Sequence, residues 1–200
     1  ERLPDVVIRR EIDAVLQSSG CVERRYGVRI HVGYTLDDVM KEGFDACLLA
    51  VGLSESVPLP ATVQPKAGAV PAIEFLSKVK KGQRTSGTVL VIGGGNTAID
   101  AALSAKRSGA DDVSIVYRRS FAEMPAWPEE RDQAIEAGVN FLILTQPVDY
   151  VADDAGRLTG LAVVRTRLGA AGADGRRTPQ PIAGSQHVLP ADLVIEAIGQ

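Results

Sequence analysis

Gly93, Gly94 and Gly95, followed by Asn96, Thr97 and Ala98, are the residues whose types and spacing bear chemistry most plainly. They fit the pattern G-x-G-x-x-A. Their context is strand, turn and helix: Val89 to Ile92 before them, Asn96 to Ser108 after, and a second strand from Val113. In that context the first glycine permits a tight turn, and the absent Cβ at Gly95 lets backbone approach a pyrophosphate. Ala98 is small enough for the helix to pack near the strand. The helix N-terminus then aims N–H groups and the positive end of its dipole at phosphate oxygens. A plain strand–turn–helix with glycines for geometry alone is the competing reading, but three consecutive glycines are entropically expensive without such a need. The motif therefore predicts a dinucleotide site.

The end of the second strand discriminates between dinucleotides. A site for NAD(H) places Asp or Glu there, against the ribose 2′-hydroxyl. This chain has Tyr117, Arg118, Arg119 and Ser120. Two guanidiniums and a hydroxyl suit a 2′-phosphate, which a carboxylate would repel. NADP(H) is favoured, with solvated surface charge as the alternative. Two apolar runs end alike, in Ala50-Val51-Gly52 and Ala197-Ile198-Gly199. Such endings let chain pass close to a nucleotide, although small residues at a strand end account for them equally well.

Other reactive side chains are isolated. His31 and His187 have no partner at metal-ligand spacing, Cys47 reads as a core residue and Cys21 as incidental. Cys21 and Cys47 form neither a C-x-x-C redox pair nor a disulfide framework. No Ser-His-Asp set or carboxylate pair stands out, so no catalytic side chain is assigned. Lys and Arg number 22 against 25 Asp and Glu, a net charge of −3, without the basic excess of a nucleic-acid or membrane-surface binder. At 45% apolar residues the chain can bury a core. No run approaches the ~18 apolar residues of a membrane span, and a cytoplasmic location is expected.

The elements that must position these residues follow from periodicity. Pro4 to Ser19 spaces its apolar residues helically, with Gly20 just beyond. Val28 to Val32 reads as a strand, Leu36 to Lys41 as a short helix capped by Thr35, and Ala46 to Gly52 as a buried strand. Residues 54–71, with Pro58, Pro60, Pro65 and Pro71, read as a linker before a helix to Lys80. After the glycine turn come a strand from Val113 to Tyr117, a helix from Pro128 to Ala137 and a strand from Val139 to Leu144. Then the period changes to two. Val148 to Val151, Leu158 to Arg167 and Gln186 to Leu189 read as antiparallel strands, with turns at 154–156 and 173–175. Leu193 to Ala197 returns as a buried strand. A chain that begins at Glu1 and ends directly after such a strand reads as a piece of a larger protein.

The runs 91–100, 115–126 and 192–200 resemble signatures of the glutamate synthase small-subunit family, which includes the flavin region of dihydropyrimidine dehydrogenase. Arg2-Leu3-Pro4, Arg10-Glu11-Ile12 and Gly43-Phe44-Asp45-Ala46 are similar too, so the likeness covers nearly the whole chain. Tyr117-Arg118-Arg119 is its most specific part. The resemblance implies an α/β protein: a Rossmann-like NADPH-binding domain, parallel sheet plus antiparallel meander, with part of an FAD-binding domain. Residues 1–80 would be an FAD-domain segment and linker, 85–195 the NADPH-binding domain and 196–200 the crossing back. It implies hydride transfer between NADPH and FAD, with electrons passed to iron–sulfur clusters or to a larger, glutamate synthase-like partner subunit. Gly93, Gly94, Gly95, Asn96, Thr97 and Ala98 would form the pyrophosphate turn. Arg118 and Arg119 would meet the 2′-phosphate, and Ala197, Ile198 and Gly199 would lie on the nicotinamide side. The chain departs from the pattern in carrying one nucleotide fingerprint: the FAD fingerprint and the cysteine-rich cluster region are absent from it. Phe121 stands where many members carry a further arginine. A non-catalytic NADP(H)-binding sensor module is the alternative reading.

Overall fold

The structure, a computed structural model, describes residues 4–52, 57–172 and 175–199. It divides into two compact units, Glu1–Val51 and Gly52–Gln200.

The first unit holds two helices, α1 (Asp5–Ser19) and α2 (Leu36–Lys41). Gly20 ends α1 with φ of 66°, a left-handed conformation open to glycine. Thr35 caps α2 as expected: its hydroxyl accepts from the Asp38 N–H, and the Asp38 carboxylate accepts from the Thr35 N–H. Neither helix buries a single residue. Both strands expected here are absent. Val28 to Val32 leads instead into a bridge between His31 and Tyr34. In the run 46–52, Leu48 is 91% and Val51 86% exposed. Cys47 is likewise exposed rather than part of a core. An apolar run becomes a strand only where a neighbouring edge accepts its hydrogen bonds, and no ladder among the described residues pairs with either run.

The second unit contains the core. Its elements are β1 (Ala69–Pro71), α3 (Ala72–Lys80), β2 (Thr88–Ile92), α4 (Asn96–Ser108), β3 (Asp112–Val116), α5 (Pro128–Glu136) and β4 (Asn140–Leu142). Then follow β5 (Thr145–Ala152), β6 (Leu158–Ala171), β7 (Arg177–Pro181), β8 (His187–Pro190) and β9 (Leu193–Glu196). β1, β9, β2, β3 and β4 form, in that order, one parallel sheet. The crossovers from β1 to β2, β2 to β3 and β3 to β4 all step the same way across it. Because such crossovers are right-handed, α3, α4 and α5 all fall on one face. The other face is covered by the antiparallel strands.

Two apolar clusters record this division. Val89, Val91, Val113, Ile115 and Ile195 pack with Phe75 of α3, Ile99 of α4 and Ala134 of α5. The alternate residues Leu90, Ile92, Val116 and Val194 pack with Tyr150, Leu161 and Val163 of the meander. The expected α/β architecture, parallel sheet plus meander, is thus observed. β1 and α3, which the sequence groups with the first segment, belong to this sheet and its core. Leu144, with φ of 51°, turns the chain from β4 into β5, so that β4 stops short of it. β7 was not legible, since it contains Pro179 and Pro181. Among the described residues it pairs only with β6, and such an edge tolerates proline. Of the turn expected at 173–175, residues 173 and 174 lie outside the described residues.

Burial on both faces puts the amides of β2, β3 and β9 at the most protected end of the molecule. Native-state hydrogen exchange is expected to show their opening tracking global unfolding, with α1 exchanging near the rate of an open chain. Protection of α1 equal to that of β2 would contradict this distribution of stability.

Candidate dinucleotide site

The carboxyl ends of β1, β2, β3 and β9 open onto one cavity of about 500 Å³. This is the edge at which open α/β sheets bind ligands, because side chains and loops there are not committed to the crossovers.

β2 delivers the glycine turn. Gly93 takes φ of 146°, and a Cβ there would come within 2.3 Å of the Ala197 carbonyl oxygen. Its role is to let β2 and β9 approach at their ends, where the Ala197 N–H donates to the Ile92 carbonyl. At Gly94 a Cβ would lie 2.5 Å from the Tyr117 ring. Gly95 differs from both: it has no positive φ, and a Cβ would meet nothing within 4 Å. The space beside it belongs to the cavity. Gly95 also stands at the N-cap of α4, where Ala98 and Ile99 donate to its carbonyl. The amides of Gly95, Asn96 and Thr97 precede the first intrahelical bond and find no backbone acceptor among the described residues.

The residues expected at the site do not all reach the cavity. Gly93, Gly94, Gly95 and Thr97 line it from β2 and α4. Arg118 and Arg119 line it from the loop after β3, and Ala197, Ile198 and Gly199 from the chain after β9. Asn96 and Ala98 do not. The Asn96 carboxamide oxygen accepts from the Trp127 N–H at 3.1 Å, and Ala98 is fully buried beneath the helix. With the Ala126 N–H donating to the Gly94 carbonyl at 3.0 Å, the Asn96 bond stitches the 120–127 loop to the glycine turn. Tyr117 completes the join: its ring lies over Gly94 and its hydroxyl donates to the Glu123 carbonyl at 2.8 Å.

Three polar side chains of the cavity lining, Glu196, Gln146 and Arg176, were missed in the sequence. Glu196, at the end of β9, is 8% exposed. Its Oε1 accepts from the Leu59 N–H at 2.7 Å and from the Tyr150 hydroxyl at 2.6 Å. Burial, and then this bond to a carboxylate, push the Tyr150 phenol well above its usual range, so it remains a donor. The network holds Leu59 and Pro60 as one wall of the cavity. Gln146 enters from β5. Arg176 enters from the turn between β6 and β7. A basic pair immediately after a glycine, Gly175-Arg176-Arg177, was the signal for it, but nothing in the linear order links that turn to Arg118. No group of His, Cys, Asp and Glu suited to a metal occurs among the described residues. Nor is any of their helices long and apolar enough to cross a membrane.

Comparison with known proteins agrees with this geometry. Residues 6–200 match the family model described as pyridine nucleotide-disulphide oxidoreductase. The chain is 40% identical to the NADPH-Fe(3+) oxidoreductase subunit beta of Geobacter sulfurreducens, over 100% of this chain and 30% of that protein. It is 37% identical to a putative glutamate synthase [NADPH] small chain of Cereibacter sphaeroides, over 98% of this chain and 48% of that one. It therefore spans less than half the length of either relative. Among solved structures, the oxidoreductase FprA of Mycobacterium tuberculosis shares the fold with a TM-score of 0.62 and 19% identity, over 83% of this chain and 52% of that one. On a match that runs through both units and the whole cavity lining, the chain belongs to the pyridine nucleotide-disulphide oxidoreductase family.

Proposed function

We propose that this chain is the NADPH-binding part of an NADPH- and FAD-linked oxidoreductase of the glutamate synthase small-subunit type. The observation that carries the reading is the cavity where Gly95 offers open space, three amides have no backbone acceptor among the described residues, and Arg118 and Arg119 stand at the loop after β3. These residues fit a pyrophosphate and a 2′-phosphate. Relatives whose names specify NADPH support the choice of nucleotide.

When bound, the pyridine nucleotide supplies a hydride and a flavin accepts it; the chain's own residues bind and orient. In this reading the amides of Gly95, Asn96 and Thr97 take the pyrophosphate, and the Asn96 side chain acts indirectly through its bond to Trp127. Ala98 keeps α4 close to β2. Ala197, Ile198 and Gly199 form the floor on the nicotinamide side, and Glu196 holds the wall at Leu59. Of the expected FAD-domain segment and linker, residues 1–80, only the part before β1 is assigned so, because β1 and α3 join the sheet that carries the cavity; 85–195 are assigned to NADPH and 196–200 to the crossing back. The flavin fingerprint and any iron–sulfur clusters are assigned to chain other than these residues. A larger partner subunit and a cytoplasmic location complete the proposal.

The glycines separate folding from binding. Gly93→Ala meets both a left-handed φ and the Ala197 carbonyl, and is expected to destabilise by about 2–4 kcal/mol. Gly95→Ala has room and is expected to cost about 1 kcal/mol or less, as an N-cap change. It nevertheless occupies the pyrophosphate space, so NADPH affinity falls while the melting temperature drops by no more than about 2–4 °C. Unchanged affinity in folded Gly95→Ala would remove the cradle from the proposal.

The decisive experiment concerns the arginines. A charge-assisted bond to phosphate contributes about 1.5–3 kcal/mol, so Arg118→Ala/Arg119→Ala is expected to weaken NADPH binding roughly ten-fold to several hundred-fold. NADH, lacking the 2′-phosphate, should change little. Calorimetric titration with both nucleotides reads the difference; equal losses, or none, would withdraw the NADP assignment. Anaerobic mixing of the flavin-loaded full-length protein with NADPH should bleach flavin absorbance, and binding without bleaching would favour a sensor module.

A further inference from the structure

We infer that Arg176 is a third guanidinium for the 2′-phosphate, delivered by the β6–β7 hairpin as a specificity-determining residue. The inference rests on the NADPH reading above. Arg176 lines the same cavity as Arg118 and Arg119, although 57 positions separate it from the nearer of them.

The hairpin is built to reach that place. β6 is long: its first half pairs with β5 and β8 in the meander, and from Thr166 it continues alone with β7. The Gly172 N–H donates to the Arg176 carbonyl at 2.9 Å and the Gly175 N–H to the Gly172 carbonyl at 3.0 Å, closing the turn. Two further bonds then tie this hairpin to the loop after β3. Arg177 Nε donates to Glu123 Oε1 at 2.6 Å, and Arg119 Nε donates to the Arg177 carbonyl at 2.9 Å.

Glu123 is a firm anchor. Its side chain is 7% exposed in the pair with Arg177, and it closes a capping box with Ser120. The Ser120 hydroxyl, followed by Arg177, holds its carboxyl below the usual carboxylate range, so it is ionised at neutral pH. Arg177 is thus occupied in positioning, while its neighbour Arg176 reaches the cavity. Arg131 of α5 is engaged elsewhere: it donates to the Phe121 carbonyl at 2.7 Å and lies 5.6 Å from the Phe121 ring centroid, and that ring packs on Phe141. A 2′-phosphate carries close to two negative charges and three acceptor oxygens. Guanidiniums from two separate elements approach it from two directions, which one loop cannot do.

The test is titration of the full-length protein and its Arg176→Ala and Arg176→Lys variants with NADPH and NADH at two salt concentrations. Arg176→Ala is expected to weaken NADPH binding about ten-fold and NADH binding by less than about two-fold. Its NADPH affinity should also fall less steeply with salt, since one ionic contact is gone. Arg176→Lys should restore part of the affinity through its charge. Equal losses for both nucleotides, or no loss for either, overturn the inference. If Arg118→Ala/Arg119→Ala is NADPH-selective while Arg176→Ala is silent, this inference alone fails. If the wild type binds both nucleotides alike, the NADPH reading fails and takes the inference with it.

Discussion

The handedness of three crossovers organises the second unit. Because β1, β2, β3 and β4 succeed one another in a single direction, their right-handed connections load every helix onto one face. A five-stranded parallel sheet cannot leave its other face to water without exposing Leu90, Ile92, Val116 and Val194. The chain answers with a different kind of element, an antiparallel meander that covers that face with Tyr150, Leu161 and Val163. β9 then enters from the meander and inserts between β1 and β2. This insertion brings the Ala197 carbonyl against Gly93, and it is what makes that glycine obligatory.

The same arrangement makes the cavity a meeting point of the two layers. From the sheet come the glycine turn and the ends of β3 and β9. From the meander come Gln146 and, by way of the extended β6, Arg176. Glu196 joins the layers at the cavity edge, since its carboxylate accepts both from Tyr150 of β5 and from the backbone of Leu59. The covering layer therefore serves two purposes: it closes a core, and it supplies polar side chains to one side of the site.

Sequence patterning made the sheet layer legible because its determinants are local. The glycine turn, the small residue at 98 and the arginines after β3 depend on chain neighbours within one βαβ unit. What patterning missed is set by distant partners. Val28 to Val32 and Ala46 to Gly52 have strand composition, but a strand also needs an edge, and no composition reveals whether one is present. β7 was hidden by prolines that only its edge position tolerates. Asn96 carries the right residue type at the turn, yet its side chain serves Trp127, a distinction that spacing alone does not make. Arg176 was unreachable for the same reason: its proximity to Arg118 depends on the length of β6 and on the Glu123 anchor.

The division of labour between Arg176 and Arg177 carries a physical lesson about cation sites. An exposed guanidinium on a hairpin loses side-chain entropy when it is ordered by a ligand, and that loss subtracts from its contribution. Pinning the base of the hairpin through Arg177 lowers that loss for a neighbouring side chain that lines the cavity. Arg177 does this with a carboxylate that is itself fixed by Ser120, so the ion pair is directional rather than diffuse. Glu123 could equally have drained charge from the site had it faced the cavity. It instead sits behind the loop, beneath the Tyr117 hydroxyl that bonds its carbonyl, and it is absent from the cavity lining. A chain with an overall charge of −3 thereby presents three guanidiniums at one cavity, keeps Glu123 out of its lining, and has the carboxylate at its edge, Glu196, accept from Leu59 and Tyr150.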